Sequence, residues 1–341
     1  MAMTDRPDPG PDPTARGGRD RAWPLGMVRY VGRVLGGRKE TGVSVPEPRV
    51  AVRVVTDSTA YLPDDLLREH AIEVVPLHVV VGGADHVEGR DITADEVAAA
   101  LRQYTVVSTS RPTPQVFLET YERLAAEGAT HVVSIHLSSQ MSGTVEAARL
   151  AAAEASIPVE VIDSETIGMA MGFAVVAAAE AATGGADLAT VARVVHERLA
   201  PSKVLFYVHT LEHLRRGGRI GAASALLGSA LAIKPVLGVR GGRIVPIEKV
   251  RTTARAIARI EAMVAQHVAE GGVAVDVAVH HLDAAERAEA IAGWARDQLP
   301  GARRVLVVEL GAVVGAHVGP GTVAIAVSPR AGEPIVAGRE S

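Results

Sequence analysis

Cysteine is absent from the 341 residues. That excludes disulfides, thiol catalysis and cysteine-ligated metals, and it fits a reducing, cytoplasmic compartment. Aromatic residues make up only 3%, so branched aliphatics and alanine must build the core. No apolar run reaches the roughly 18 residues needed to span a bilayer. Arginines interrupt every apolar run near the N-terminus, so a secretory leader is not expected. No strand is followed by G-x-G-x-x-G or G-x-x-x-x-G-K-[ST], which leaves the usual nucleotide sites unsupported. There is no G-x-S-x-G elbow of a serine hydrolase. The net charge is −4, without the basic footprint of a nucleic-acid-binding protein.

Apolar residues make up 48% and charged residues 22%. A chain of this length suits about two domains, or one large one, and this composition allows a large core. Residues 1–49 differ from the rest. They hold 7 of the 19 prolines and carry +3, nine basic residues against six acidic, which leaves −7 on the remainder. RPDPGPDPTARGGRDR has no apolar period and is expected to be a disordered extension. Trp23 to Leu35 could form a membrane-touching amphipathic helix, although a weakly structured leader is the simpler expectation.

From Val50 the chain alternates strand, hydroxyl-rich turn and helix. VAVRVVTDSTAYLP, THVVSIHLSSQMSG and VEVIDSETIG read as strands with Ser, Thr and Asp at their carboxyl ends, and IEVVPLHVVVGG as a strand closed by Gly82-Gly83. Thr93 and Glu96 form a capping box for TADEVAAALRQY. Ser108, Thr109 and Ser110 are expected in a loop, before a helix that opens at Thr113-Pro114. This alternation predicts an α/β fold with a largely parallel sheet over 50–200. Open sheets of this kind bind ligands at the carboxyl edge of the strands, where the hydroxyls gather. Each cluster alone is also what helix capping needs.

The stretch from Val204 to Arg251 stands out. A strand passes into a basic bend, LRRGGRIG, where Gly217, Gly218 and Gly221 permit sharp turning. A small-residue helix is expected next, then a hairpin turning at Gly241-Gly242. A basic bend beside an apolar wall suits an amphiphile with an anionic end. VAVDVAVHHL is a strand, and Asp283 is the expected cap of the helix after it. RRVLVVELGAVVGAHVGPGTVAIAVSP reads as strand, short connector and strand. Residues 201–330 are thus expected to form an α+β domain, with 331–341 a flexible tail. His280 and His281 look like a metal pair, but strand neighbours face opposite ways, so no metal is expected.

Eight segments in register resemble the DegV family of bacterial fatty-acid-binding proteins. They are VVTDSTAYLP, TSRPTPQVFLETYERL, SSQMSGTVEAAR, VIDSETIGMAMG, TLEHLRRGGRIG, LAIKPVL, GGRIVPIEKVR and GAHVGPGTVAI. Together they span about residues 52–328. The resemblance implies two domains, α/β and α+β, with a long-chain fatty acid between them. Thr109, Ser110, Ser142 and His317 match the groups that hold its carboxylate. The resemblance also implies delivery to a separate ATP-dependent kinase subunit, which makes an acyl-phosphate for phospholipid metabolism. Arg219 and Arg251 match arginines linked to that step. The chain alone would then be no enzyme and would need no cofactor, metal or nucleic acid. Contact with a membrane would be peripheral at most.

Three positions depart from the family pattern. Arg111 stands where glutamine is usual, Tyr61 where Asp is usual, and Gln140 where glycine is usual. Single residues keep plainer readings: Ser142 as a helix N-cap, His317 as a turn residue, Arg219 as a solvated charge. The alternative function is a serine esterase or thioesterase built from Ser142, Asp163 and His317. A lipid-sensing regulator is weaker still, since no DNA-binding pattern occurs.

Overall fold

The computed structural model describes residues 51–226 and 233–335. The expected N-terminal extension, including Trp23 to Leu35, lies outside the described residues. So does most of the expected small-residue helix. Only a short 3₁₀ segment, Gly221–Leu226, is described there.

Three sheets organise the described residues. Strand β1 (Val52–Asp57) is followed by α1 (Asp64–Glu69) and β2 (Glu73–Val75). β3 (His78–Val81), β4 (Ala84–Val87), α2 (Ala94–Arg102) and β5 (Val107–Ser110) follow. Then come α3 (Pro114–Ala126), β6 (His131–His136), α4 (Thr144–Ala152) and β7 (Val159–Asp163). The first sheet is parallel, in the order β2-β1-β6-β7. IEVVPLHVVVGG does not make one strand. Pro76 lacks an N–H for a ladder, and the chain leaves the first sheet there to start a small antiparallel one, β4-β3-β5. Thr109 and Ser110 therefore sit on a strand, opposite Val79 and His78, and not in a loop.

Two helices, α5 (Met169–Thr183) and α6 (Leu188–Leu199), lead to the second half. There β8 (Lys203–Tyr207), α7 (Glu212–Arg216), β9 (Lys234–Arg240), β10 (Arg243–Val250), α8 (Thr253–Gly271) and β11 (Val273–Leu282) follow. The chain continues through α9 (Ala285–Gln298), β12 (Ala302–Glu309), α10 (Ala312–Val318) and β13 (Thr322–Pro334). Their strands form a mixed sheet in the order β10-β9-β8-β13-β11-β12. The protein is thus an N-terminal α/β domain with a parallel sheet, plus a C-terminal α+β region with a mixed sheet. The hairpin turns at Gly241 and Gly242, both at positive φ as a two-residue turn requires. β13 runs on to Pro334, within the expected tail.

One core joins the two halves. Helix α5 is apolar on every side, and Met169 through Val176 are all buried. A helix apolar all round belongs inside, and α5 packs against β1 and β13 together. Along β11, Ala278, His280 and Leu282 share one face of the strand, while Val275, Val277 and Val279 face the outer core under α8 and α9. Ala278 and Leu282 belong to the joint core. All described residues fall in one compact unit. Asp283 does not cap α9. Ala284 stands at that position, and Asp283 pairs with Arg102 of α2.

Beneath the first sheet runs a closed polar chain. Asp57 Oδ2 meets His136 Nδ1 at 3.1 Å, His136 Nε2 meets Ser134 Oγ at 2.7 Å, and Ser134 meets the Tyr121 hydroxyl at 2.8 Å. This mimics a hydrolytic triad, but all three triad residues are 0% exposed. No substrate reaches it, and its role is to satisfy buried polar groups.

Candidate functional site

A cavity of about 920 Å³, open solvent at its mouth counted, opens between the first sheet and the mixed sheet. Val204, Phe206, Val239, Ile244 and Ala324 of the mixed sheet form one wall, with Leu137 and Ile167 facing them. None of its lining residues is Asp or Glu. The polar lining at one end consists of Thr109, Ser110, Arg111, Ser142, Arg219 and His317.

Four elements bring that end together. Strand β5 supplies Thr109 and Ser110. The segment after β12 supplies His317, on the last turn of α10 and not in a plain connector. Its imidazole Nε2 lies 2.9 Å from the Thr109 hydroxyl. The other nitrogen, Nδ1, is buried without a partner and faces Gly217. A side chain on Gly217 would run into that ring. Burial, then the nearby Arg219 charge, push the His317 pKa down to about 4. The ring is therefore neutral at pH 7, and the site holds hydroxyls and a neutral imidazole beside two arginines.

The third element is the bend after α7. Arg219 donates from Nε to Met141 O at 3.0 Å and from Nη1 to Gly217 O at 2.7 Å. The guanidinium thus ties the bend to the loop after β6. Arg215 and Arg216 lie outside the cavity lining, and Glu212 holds both. The fourth element is that loop. Met141 N and Ser142 N both donate to Ser138 O, and Ser138 Oγ donates to Gly242 O at 2.8 Å. Gln140 Oε1 accepts from Arg243 at 2.5 Å. Gln140 thus pins the loop to the hairpin β9–β10.

Ser142 is not the N-cap of α4. Gly143 holds that position, and Ser142 Oγ meets Thr144 Oγ1 at 2.9 Å. The Arg111 guanidinium lies over Gly143, where a Cβ would collide with it. Asp163 accepts from Ser139 N at 3.2 Å and from Glu165 N at 2.9 Å. Ser142, His317 and Asp163 each bond elsewhere, so no Ser–His–Asp triad is assembled. Arg251 is exposed beyond the end of β10 and does not line the cavity.

The cavity has a second polar border that sequence reading did not find. His280 lines it, 2% exposed, and its Nε2 accepts from Met169 N at 3.0 Å. Burial pushes its pKa down to about 4. Strand alternation separates His280 from His281, but nothing in the sequence says which face meets a cavity. Among the described residues no cluster suited to a metal occurs. Tyr61 also lines the cavity. Its hydroxyl accepts from Val314 N at 3.2 Å and donates to Glu88 Oε1 at 3.4 Å. Glu88 Oε1 accepts from Val313 N at 2.8 Å, and its other oxygen accepts from Ser58. Burial raises the Glu88 pKa, and burial together with the Glu88 charge raises that of Tyr61. Glu88 follows a short edge strand, with no motif to mark it.

Comparison with known proteins agrees with this geometry. The profile of the DegV family, described as uncharacterised proteins, matches residues 51–330. A DegV domain-containing protein of Streptomyces coelicolor is 51% identical over 279 residues, 82% of this chain and 99% of the relative. One from Mycobacterium tuberculosis is 38% identical over 286 residues, 84% of this chain and all of the relative. Among solved structures, a fatty-acid-binding DegV family protein from Thermus thermophilus superposes with a TM-score of 0.77 at 35% identity. The alignment covers 82% of this chain and 100% of that one. DegV of Bacillus subtilis, described as a fatty acid binding protein, gives 0.76 at 32% identity, with the same coverage.

Proposed function

The chain belongs to the DegV family, and on that premise we propose that it binds a long-chain fatty acid, with the acyl chain in the apolar cavity and the carboxylate at the Thr109–His317 end. Thr109, Ser110, Ser142 and His317 hold the carboxylate. Arg219 and Arg251 serve a partner. That partner is an ATP-dependent kinase subunit, which converts the presented carboxylate to an acyl-phosphate. The protein itself does no chemistry, and its setting is cytoplasmic.

One observation carries this function. An acid-free, mostly apolar cavity ends in hydroxyls, a neutral imidazole and arginine. Burying an alkyl chain stabilises a complex by about 0.8 kcal/mol per CH₂. A carboxylate taken out of water needs donors to replace its hydration. The hydroxyls supply them, with Arg111 beside them as a positive charge, and the cavity lining adds no opposing charge. Phosphoryl transfer then requires an oriented oxygen with positive charge nearby, which Arg219 offers.

A displacement titration tests this function. Palmitate and oleate should displace a fluorescent fatty acid from the purified protein, and hexadecanol should do so at least tenfold less well. Equal displacement by acid and alcohol would refute a carboxylate site. No displacement by either would refute the lipid site altogether.

A further inference from the structure

We propose that Tyr61 is the wall that sets the longest acyl chain the cavity accepts, because it separates that cavity from a second, open cleft. This inference rests on the fatty-acid function proposed above. Tyr61 and Leu310 line both spaces. On the far side the cleft is acidic, with Glu88, Asp91 and Glu309 on its walls. Nothing else is shared between the two linings.

The ring is held in place from several directions. Tyr61 has φ 51°, the left-handed region that a non-glycine residue adopts at a cost. Its hydroxyl is fixed by Glu88 and by the backbone of α10, a contact spanning 253 residues of chain. Its edge meets the ring of His280, with centroids 6.1 Å apart. Gly311 makes the room. A Cβ on Gly311 would come within 2.6 Å of the Tyr61 ring, although the backbone at Gly311 has an ordinary φ of −69°. Glycine is needed there for space and not for conformation.

An alkyl chain growing toward this wall gains affinity with each carbon until it meets Tyr61. Beyond that it must displace the ring and break its hydrogen bonds to the buried Glu88 and to Val314 N. Truncating the ring joins the two spaces, so longer chains can extend into the cleft.

The test is an affinity ladder of saturated fatty acids from 12 to 22 carbons, read by displacement of a fluorescent fatty acid. Affinity should rise about fourfold per added carbon up to a break, then fall. Tyr61→Phe keeps the wall and should keep the break. Tyr61→Ala should move it to longer chains, and Tyr61→Leu should move it less. Tyr61→Leu decides the matter if the alanine variant does not fold. A wild-type ladder with a break that stays unchanged in the truncated variants overturns the role of Tyr61 and leaves the fatty-acid site standing. A wild-type protein that binds no member of the ladder overturns both.

Discussion

The His317 imidazole and the Thr109 hydroxyl meet at 2.9 Å across 208 residues of sequence. One comes from the last turn of α10 and the other from the edge strand β5, so the contact exists only in the folded chain. It joins the two halves of the protein at the polar end of the cavity. A ligand carboxylate placed there would share both groups.

Thr109→Val should therefore weaken fatty-acid binding about 10- to 150-fold, the worth of one hydrogen bond to a charged group at about 1.5–3 kcal/mol. Palmitate displacement titrations measure this. An unchanged affinity would move the carboxylate away from this pair.

Gly217→Ala places a methyl group against His317 Nδ1. Over-packing of this kind costs about 1–3 kcal/mol, and it should also shift the ring and reduce palmitate affinity. Urea unfolding read beside the binding curve checks both. A variant with wild-type stability and affinity would contradict the close approach.

Arg219→Ala should retain bound lipid within a few-fold and lose phosphorylation of that lipid by ATP and the proposed kinase partner. Lipid extraction and an acyl-phosphate assay on the same preparation separate the two effects. Loss of the lipid itself would make Arg219 a head-group ligand.

The purified protein should not turn over a chromogenic acyl ester. Ser142 points to Thr144, and His317 to Thr109. Measurable hydrolysis that disappears in Ser142→Ala would revive the esterase function.

Stability should fall as the pH drops from about 6.5 toward about 4. His280 titrates near 4 in the fold and near 6.5 when unfolded, so over that interval the unfolded chain binds more protons. The contribution is full above the unfolded value and is lost as pH falls through the folded one, on the order of 3 kcal/mol in all. Glu88 acts in the opposite sense. Its raised pKa favours the protonated fold, and that contribution is lost as pH rises. His280→Gln isolates the histidine, since it keeps a side-chain acceptor that does not titrate. Chemical unfolding at a series of pH values should show a flatter slope for the variant, and parallel slopes would contradict the assignment.

Much of the fold was legible because its signals are local. The capping box at Thr93–Glu96 and the Gly241-Gly242 hairpin form as expected, each set by residues within one turn. The parallel sheet follows from repeated strand–turn–helix alternation. Three elements were hidden. Pro76 splits an apolar run that looks continuous, and Ser and Thr at 108–110 look like loop residues but pair as a strand. The glycines around His317 mask α10, which is held by Glu88 and Tyr61 from far along the chain. The same distance explains the site. Thr109, Ser110, Ser142, Arg219 and His317 gather at one end of the cavity, while Arg251 stands apart. Glu88 and the cavity face of His280 carry no sequence mark, since their surroundings are assembled by tertiary packing.

Native mass spectrometry of the purified protein, with denaturing extraction of anything bound, shows whether the cavity holds a lipid. The protein mass should be raised by one molecule, released on denaturation and identified as a long-chain fatty acid. A bare protein mass that stays unshifted after incubation with palmitate and with oleate would contradict fatty-acid binding.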